Sequence, residues 1–311
     1  MLEIRDLCKS YDDFIALDHL DLTIQKGELF GFVGPNGAGK TTMLRIISGL
    51  LPADSGKVSV FGIDAVNDSE HLKEKIGYVP DFFGVYDNLK AIEYMEFFAS
   101  IYGITGEKAQ KLCLKLMDKV HLADKAEFMV DSLSRGMKQR LCLARSLIHD
   151  PELLILDEPV SGLDPRARIE MKKTLRSIHE EGKTIIISSH ILSELAELCT
   201  TIGIIEQGKM KVKGTIEEIM RKVNALNPIV IKIAGEKDTA LQLLKENKEV
   251  SSISLEKDNL IIGFAGNQEQ QIQLLRQLID NQVPVVSFQR KTGDLESVFM
   301  KVTEKKEVLD S

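Results

Sequence analysis

Nine consecutive residues constrain this chain more than any other part of it: Gly34-Pro35-Asn36-Gly37-Ala38-Gly39-Lys40-Thr41-Thr42. Leu29 to Val33, just before them, is a near-continuous apolar run, as a strand covered on both faces requires. Just after them, Met43, Leu44, Ile46, Ile47 and Leu50 keep helical spacing. Strand, glycine loop, helix is the context in which GxxxxGK[ST] cradles a phosphate, and a plain glycine-rich turn needs neither neighbour. The glycines let backbone N–H groups turn inward where side chains would collide. The helix N-terminus adds a positive dipole end, Lys40 neutralises β/γ oxygens, and the Thr41 hydroxyl suits Mg²⁺. The chain is therefore expected to bind a nucleotide.

A second element is Leu153-Leu154-Ile155-Leu156-Asp157-Glu158, an apolar strand ending in two carboxylates. Alone it could be a strand end becoming solvated. Beside a phosphate loop, Asp157 reads as a Mg²⁺ ligand through the metal's water shell, and Glu158 as the group that polarises an attacking water. Strands alternate with helices around it. Thr184 to Ser188 is another buried-strand run, separated from the first by a helical Arg166–His179. Such alternation predicts a mostly parallel sheet with helices on both faces and right-handed crossovers, an α/β P-loop NTPase core. Before the loop, Leu2 to Leu7 and Leu20 to Ile24 alternate in period two and predict an antiparallel β subdomain. A helical subdomain is expected over about 86–150, where Ile92, Met95, Phe98, Ala99 and Tyr102 share one face and Leu112, Leu116, Met117 and Val120 another.

Helical periodicity ends at the Asn227-Pro228 turn. Beyond it the pattern restarts as strand 229–234, helix 238–247, strands 251–256 and 259–264, helix 267–281 and strand 283–290. That order, β-α-β-β-α-β, predicts a small α+β ferredoxin-like domain, followed by a short helix near 294–304. The expected division is thus 1–222, 228–304 and a charged tail at 305–311, in keeping with about 150 residues per domain.

Composition removes whole classes of function. Forty Lys plus Arg against 47 Asp plus Glu leaves −7, which argues against a chain whose main business is gripping nucleic acid. Cys8, Cys113, Cys142 and Cys199 are scattered, with no metal-ligand spacing, and read as reduced thiols of a cytosolic protein. No apolar run approaches the ~18 residues a membrane span needs, and MLEIRDLCKS lacks the apolar stretch of a signal peptide.

Between the phosphate loop and the carboxylate strand lies Leu133-Ser134-Arg135-Gly136-Met137, ahead of an apolar helix. Here the sequence resembles the ATP-binding subunits of ABC transporters. The resemblance spans roughly residues 1–220 and rests on five motifs in order. These are the phosphate loop, Tyr78-Val79-Pro80, the LSRGM segment, LILDEP with Ser161-Gly162-Leu163-Asp164, and Ser188-Ser189-His190. It implies ATP and Mg²⁺ as cofactors, with Gly34 to Thr42 on the phosphates and Tyr11 stacked on adenine. It also implies that Ser134 and Gly136 touch the γ-phosphate held by an opposite subunit, that Asp164 crosses the dimer interface, and that His190 holds the γ-phosphate and the attacking water. Glu158, His190 and Lys40 would then be catalytic, and Thr41, Asp157 and Asp81 would face the metal. The implied partners are a separate transmembrane permease subunit and a second ATPase subunit, identical or related, joined on ATP binding. The place implied is the inner face of the cell membrane.

Two departures stand out. Arg135 and Met137 replace a glycine and a glutamine of LSGGQ, while Ser134 and Gly136 are kept. Asp81 stands where most relatives carry glutamine, so it either ligates metal or its water, or is only a loop carboxylate. Phe82, Phe83, Tyr86, Tyr94, Phe97, Phe98 and Tyr102 are seven of the 17 aromatics, set within 21 residues. Four or five are expected in a helical core, leaving Phe82, Phe83 and Tyr86 for the membrane partner.

The leading reading is therefore an ATPase powering export, similar to the drug-efflux and gliding-motility-type branch of prokaryotic exporters. A soluble ABC-type ATPase acting on nucleic acid or the ribosome is the alternative. It would need a coiled-coil insertion or a second phosphate loop, and neither is present. A small-molecule kinase would leave LSRGM and Ser-Ser-His unexplained.

Overall fold

Residues 1–81, 84, 88–219, 228–256 and 259–290 are described by the computed structural model of the chain. Period-two burial builds the first sheet. In β1 (Leu2–Tyr11) and β2 (Phe14–Ile24), Leu2, Ile4, Leu20, Leu22 and Ile24 turn inward while Glu3, Asp21 and Thr23 face solvent. With β4 (Ser55–Val60) and β5 (Ile63–Asp64) they form an antiparallel sheet in the order β2-β1-β4-β5.

The second sheet follows the opposite rule. Every residue of β3 (Leu29–Val33), β7 (Leu153–Leu156) and β8 (Thr184–Ser189) is buried, as two covered faces demand. Its order is β10-β9-β3-β8-β7-β6, with β6 at Ile76–Val79, β9 at Thr201–Glu206 and β10 at Lys209–Thr215. The β6–β7, β7–β8, β3–β8 and β3–β9 pairs are parallel. Met43, Leu44, Ile46 and Ile47 of α1 (Lys40–Ile47) share one core with Ile4 and Leu20 of the first sheet and Phe30, Ile155 and Ile186 of the second. At about 1.5–3 kcal/mol for each large apolar side chain buried, this cluster anchors the glycine loop's flanks. Because β3, β6, β7 and β8 run the same way, the segments that follow them emerge at one sheet edge. Those segments are the glycine loop, Pro80-Asp81, Asp157-Glu158 and His190.

After the short α2 (Ser69–Lys73) come α3 (Ala91–Ile101), α4 (Gly106–Lys119) and α5 (Arg135–Ser146). The expectation that the described aromatics here are core needs correcting. Tyr94 is fully buried, but Phe97 is 45% and Tyr102 46% exposed. The buried face of α3 runs through Ala91, Ile92, Tyr94, Met95 and Ala99, and Phe97 lies beside it. Tyr102, beyond the last turn, stacks on His149 instead, with ring centroids 4.5 Å apart. Phe82, Phe83 and Tyr86 lie outside the described residues.

Backbone contacts divide the chain into Met1–Lys213 and Gly214–Ser311. The second unit holds β11 (Ile229–Ile233), α8 (Asp238–Glu246), β12 (Val250–Glu256), β13 (Asn259–Phe264), α9 (Gln268–Asp280) and β14 (Val285–Arg290). Its antiparallel order, β12-β13-β11-β14, is that of the ferredoxin-like split β-α-β. Ile229, Ile231, Leu244, Phe264, Leu274 and Leu278 form its separate core. Residues 222–227, the helix read near 294–304 and the tail at 305–311 lie outside the described residues.

Candidate functional site

The glycine loop bends at Gly39, whose φ of 102° is open to glycine. A Cβ there would also lie 2.3 Å from the Ala16 carbonyl oxygen, so no side chain fits. Lys40, 6% exposed, donates from Nζ to the carbonyls of Gly34 (2.6 Å) and Pro35 (3.2 Å). The same ammonium stands 3.5 Å from Glu158 Oε1. A positive group with three donors is thus held against the glycine loop, in a cleft of about 320 Å³.

Two acids follow β7, and one hydroxyl orients both. Asp157 is 2% exposed and accepts from Ser188 Oγ at 2.6 Å. Ser188 Oγ in turn accepts from the Glu158 N–H at 2.9 Å. Glu158 holds a left-handed backbone, φ 50°, which costs a non-glycine residue roughly 1–2 kcal/mol. That bend turns the Glu158 carboxylate away from Asp157 and toward Lys40 and His190. His190 Nδ1 lies 2.9 Å from Glu158 Oε2. Strain tolerated at such a point, and held by surrounding hydrogen bonds, is a feature of working sites.

Asp81 reaches the same cleft from β6. Its burial and the nearby carboxylates of Asp157 and Glu158 push its carboxyl above the usual aspartate range, against the pull of Arg135. Arg135 Nη2 stands 3.9 Å from Asp81 Oδ1, so the two departures from the family pattern face each other. Thr41, Asp157 and Asp81 offer a hydroxyl and carboxylates, hard oxygen donors suited to Mg²⁺.

Most of the expected site residues fall in two places, while Gly34, Asp157 and Gly136 line neither of the two clefts. Pro35 to Thr42, Asp81, Glu158 and His190 line the first cleft. Ser134 and Asp164 line a different one, with Met137, Arg140 and Ala167 among its walls. Each caps a helix of its own chain. Ser134 Oγ accepts from the Met137 N–H at 3.3 Å at the start of α5. Asp164 Oδ1 accepts from the Ala167 N–H at 2.9 Å at the start of α6 (Pro165–Glu180). Gly136 allows α5 to approach α6, since a Cβ there would come within 2.8 Å of Ala167 Cβ.

Sequence reasoning missed three groups. Phe14 and Ala16 line the nucleotide cleft while Tyr11 does not, because the Asp12-Asp13 turn pairs Tyr11 with Phe14 across the hairpin. Ser188 was legible as part of a motif, but its bridge between Asp157 and Glu158 was not. Among the described residues, no cluster of three or more His, Cys, Asp or Glu could hold a metal by itself. None of the described helices is long and apolar enough to cross a membrane.

With this geometry established, comparison with known proteins is specific. A family model described as ABC transporter matches residues 17–161. The linearmycin resistance ATP-binding protein LnrL of Bacillus subtilis (strain 168) is 32% identical over 305 residues, 97% of this chain and 98% of that protein. The bacitracin transport ATP-binding protein BcrA of Bacillus licheniformis is 33% identical over 303 residues, 97% of each chain. Among solved structures, a dimeric ATP-binding cassette in a post-hydrolysis state bound to ADP and phosphate is similar. It has a TM-score of 0.64 and 26% identity, covering 70% of this chain and 99% of that one.

Proposed function

The chain belongs to the ABC transporter family, and from that premise we propose that it drives export through a separate transmembrane permease by binding and hydrolysing ATP. The observation that carries this reading is the meeting of Lys40, Glu158 and His190 in the glycine-loop cleft, with Ser134 and Asp164 on another cleft of the same chain. A chain built this way holds one complete phosphate cradle and, elsewhere, a helix N-terminus free to meet the phosphate of a second subunit.

In this reading the backbone of Gly34 to Thr42 wraps the phosphates and Lys40 offsets their charge. Glu158 takes the proton of the attacking water, with its bent backbone and Ser188 fixing its direction. His190, hydrogen-bonded to Glu158, donates toward the γ-phosphate. Mg²⁺ would be held by Thr41 and Asp157, with Asp81 nearby, and would neutralise phosphate charge. Phe14, on the cleft wall, would supply the aromatic face for adenine in place of the expected Tyr11.

Ser134, Gly136 and Asp164 complete the site of a second subunit, identical or related, brought together by ATP. We take residues 1–222 as the ATP-binding domain and 228–304 as an accessory domain, a boundary a few residues past the Lys213/Gly214 division made by backbone contacts. The chain works in the cytoplasm, at the inner face of the membrane where the permease presents its loops. The relatives in linearmycin resistance and bacitracin transport support an exporter rather than an importer.

The direct test is to purify the chain from gently solubilised membranes and identify what accompanies it. A multi-span membrane protein whose presence raises the ATPase rate supports the reading. Recovery free of any membrane protein, with a rate no membrane fraction changes, overturns it.

A further inference from the structure

Of the hydrogen-bonded groups around the cleft, one cluster has no part in the chemistry above. Glu194 sits in α7 (Leu192–Ala196), just past His190, and its side chain is only 7% exposed. Glu194 Oε2 accepts from Ser189 Oγ at 3.2 Å, and Ser189 Oγ accepts from the Ile191 N–H at 3.0 Å. Ser189 and Ile191 are the two chain neighbours of His190, so this pair of bonds clamps the backbone on both sides of it. A buried carboxylate needs a compensating cation. Arg168 of α6 supplies it, with Nη1 3.1 Å from Glu194 Oε1. The other arm of the same guanidinium, Nη2, donates to the Leu163 carbonyl at 3.3 Å. Leu163 precedes Asp164, the residue that begins α6.

We propose that Arg168 is a positioning residue for His190: through Glu194 and Ser189 it sets the His190 imidazole against Glu158, and through the Leu163 carbonyl it ties that setting to the Ser161–Asp164 loop. The inference rests on the catalytic reading of Glu158 and His190 given above. The Arg168 side chain touches none of the side chains assigned to ATP and does not line the nucleotide cleft, and its backbone N–H makes only the helical bond to the Asp164 carbonyl at 3.0 Å. Its guanidinium faces the Glu194 carboxylate as an ion pair, with no hydrogen bond formed to Oε1, while Nη2 donates to the Leu163 carbonyl; a lysine ammonium on a single-point stem would serve both sides less well. Without the guanidinium, Glu194 would be left buried with an uncompensated charge. It would draw in water or turn away from Ser189, and the His190 backbone would lose its clamp. Sub-ångström misplacement of a group in phosphoryl transfer is enough to slow the chemical step.

The test is a cycle between Arg168 and His190 in the full-length protein, with Arg168→Met, Arg168→Lys, His190→Ala and the double variants. Turnover, KM for ATP and the thermal midpoint are measured for each. Arg168→Met should lower kcat roughly tenfold while KM for ATP changes less than about twofold. Arg168→Lys should recover part of the loss. In the His190→Ala background, Arg168→Met should leave the residual turnover unchanged, because the residue through which it acts is gone. A purely structural role would lower the thermal midpoint and cut turnover by the same factor in both backgrounds, and that result overturns the proposal. So does an Arg168→Met protein with wild-type kcat. Should Arg168→Met fail to fold, Glu194→Gln, which keeps an acceptor for Ser189, carries the same cycle. If His190→Ala alone leaves kcat intact, the catalytic reading itself fails and this inference falls with it. If His190→Ala abolishes turnover and Arg168→Met does not alter it, only this inference fails.

Discussion

His190 Nδ1 lies 2.9 Å from Glu158 Oε2, and Glu158 reaches it from a left-handed backbone conformation that its own side chain disfavours. Thirty-two residues of chain separate the two. The parallel pairing of β7 with β8 closes that separation, because both strands end at one sheet edge. A carboxylate so placed, 3.5 Å from a lysine and aimed away from its neighbour Asp157, is arranged to work on something brought into the cleft.

Glu158→Gln keeps the side chain's shape and removes its basicity. ATP should still bind, while turnover falls by roughly 10²-fold or more. Trapped ATP should then hold two subunits together, visible as an ATP-dependent dimer on a sizing column. Near-normal turnover would remove Glu158 from the role of base.

If Ser134 and Asp164 serve a second subunit, each chain alone holds only part of two sites. Specific activity should rise with protein concentration, and Ser134→Arg should abolish it without weakening ATP binding to the monomer. Equilibrium nucleotide titration beside a concentration series of rates reads both. A concentration-independent rate from a proven monomer contradicts the assembly.

Asp81 stands in a site already crowded with carboxylates, and its own carboxyl is raised by burial, Asp157 and Glu158. A negative group there needs a cation to offset it. Asp81→Ala should lower turnover and shift its Mg²⁺ dependence, and Asp81→Gln should retain more activity because an amide carbonyl can still reach the metal's shell. A Mg²⁺ titration of both variants, with and without the membrane partner, checks this. An alanine variant matching wild type throughout shows that Asp81 only shapes its loop.

His149 gives a stability prediction with a definite sign. Burial lowers its pKa below 6.5, although Nε2 lies 2.9 Å from the Ile76 carbonyl, a bond that opposes the shift. A histidine whose folded pKa is depressed binds fewer protons folded than unfolded, so stability rises with pH across the window below 6.5. It is complete above that value and is lost as pH falls through it. His149→Gln, which can still donate to Ile76, should lose this dependence. Thermal midpoints at about pH 7.5 and about pH 5.5 should differ more in wild type than in the variant. Equal differences would show that His149 stays protonated or exposed.

How much of this was legible in the sequence follows from the range over which each feature is determined. The glycine loop, the carboxylate pair and the strand–helix order are set by neighbours a few residues apart. Apolar runs mark buried strands, and a GK[ST] after a strand leaves its backbone few alternatives. The β-α-β-β-α-β order past Pro228 was readable for the same reason, and strand β13 keeps the alternation of Leu260, Ile262 and Phe264 inward. Side-chain exposure on α3 was less readable. Phe97 and Tyr102 carry the same apolar character as Tyr94, and only the packing of neighbouring helices selects which of them is covered.

Sequence alone determined which chemical groups this protein owns and which strand each one follows, because motif spacing and hydrophobic period are properties of the local chain. Tertiary structure decided which of them meet. Ser188 bridges Asp157 and Glu158, Phe14 rather than Tyr11 lines the cleft, and Arg168 compensates Glu194. Ser134 and Asp164 end on a separate cleft from Lys40. Such contacts depend on strand order and on the approach of α6 to its neighbours, and distance along a chain carries no information about distance across a sheet.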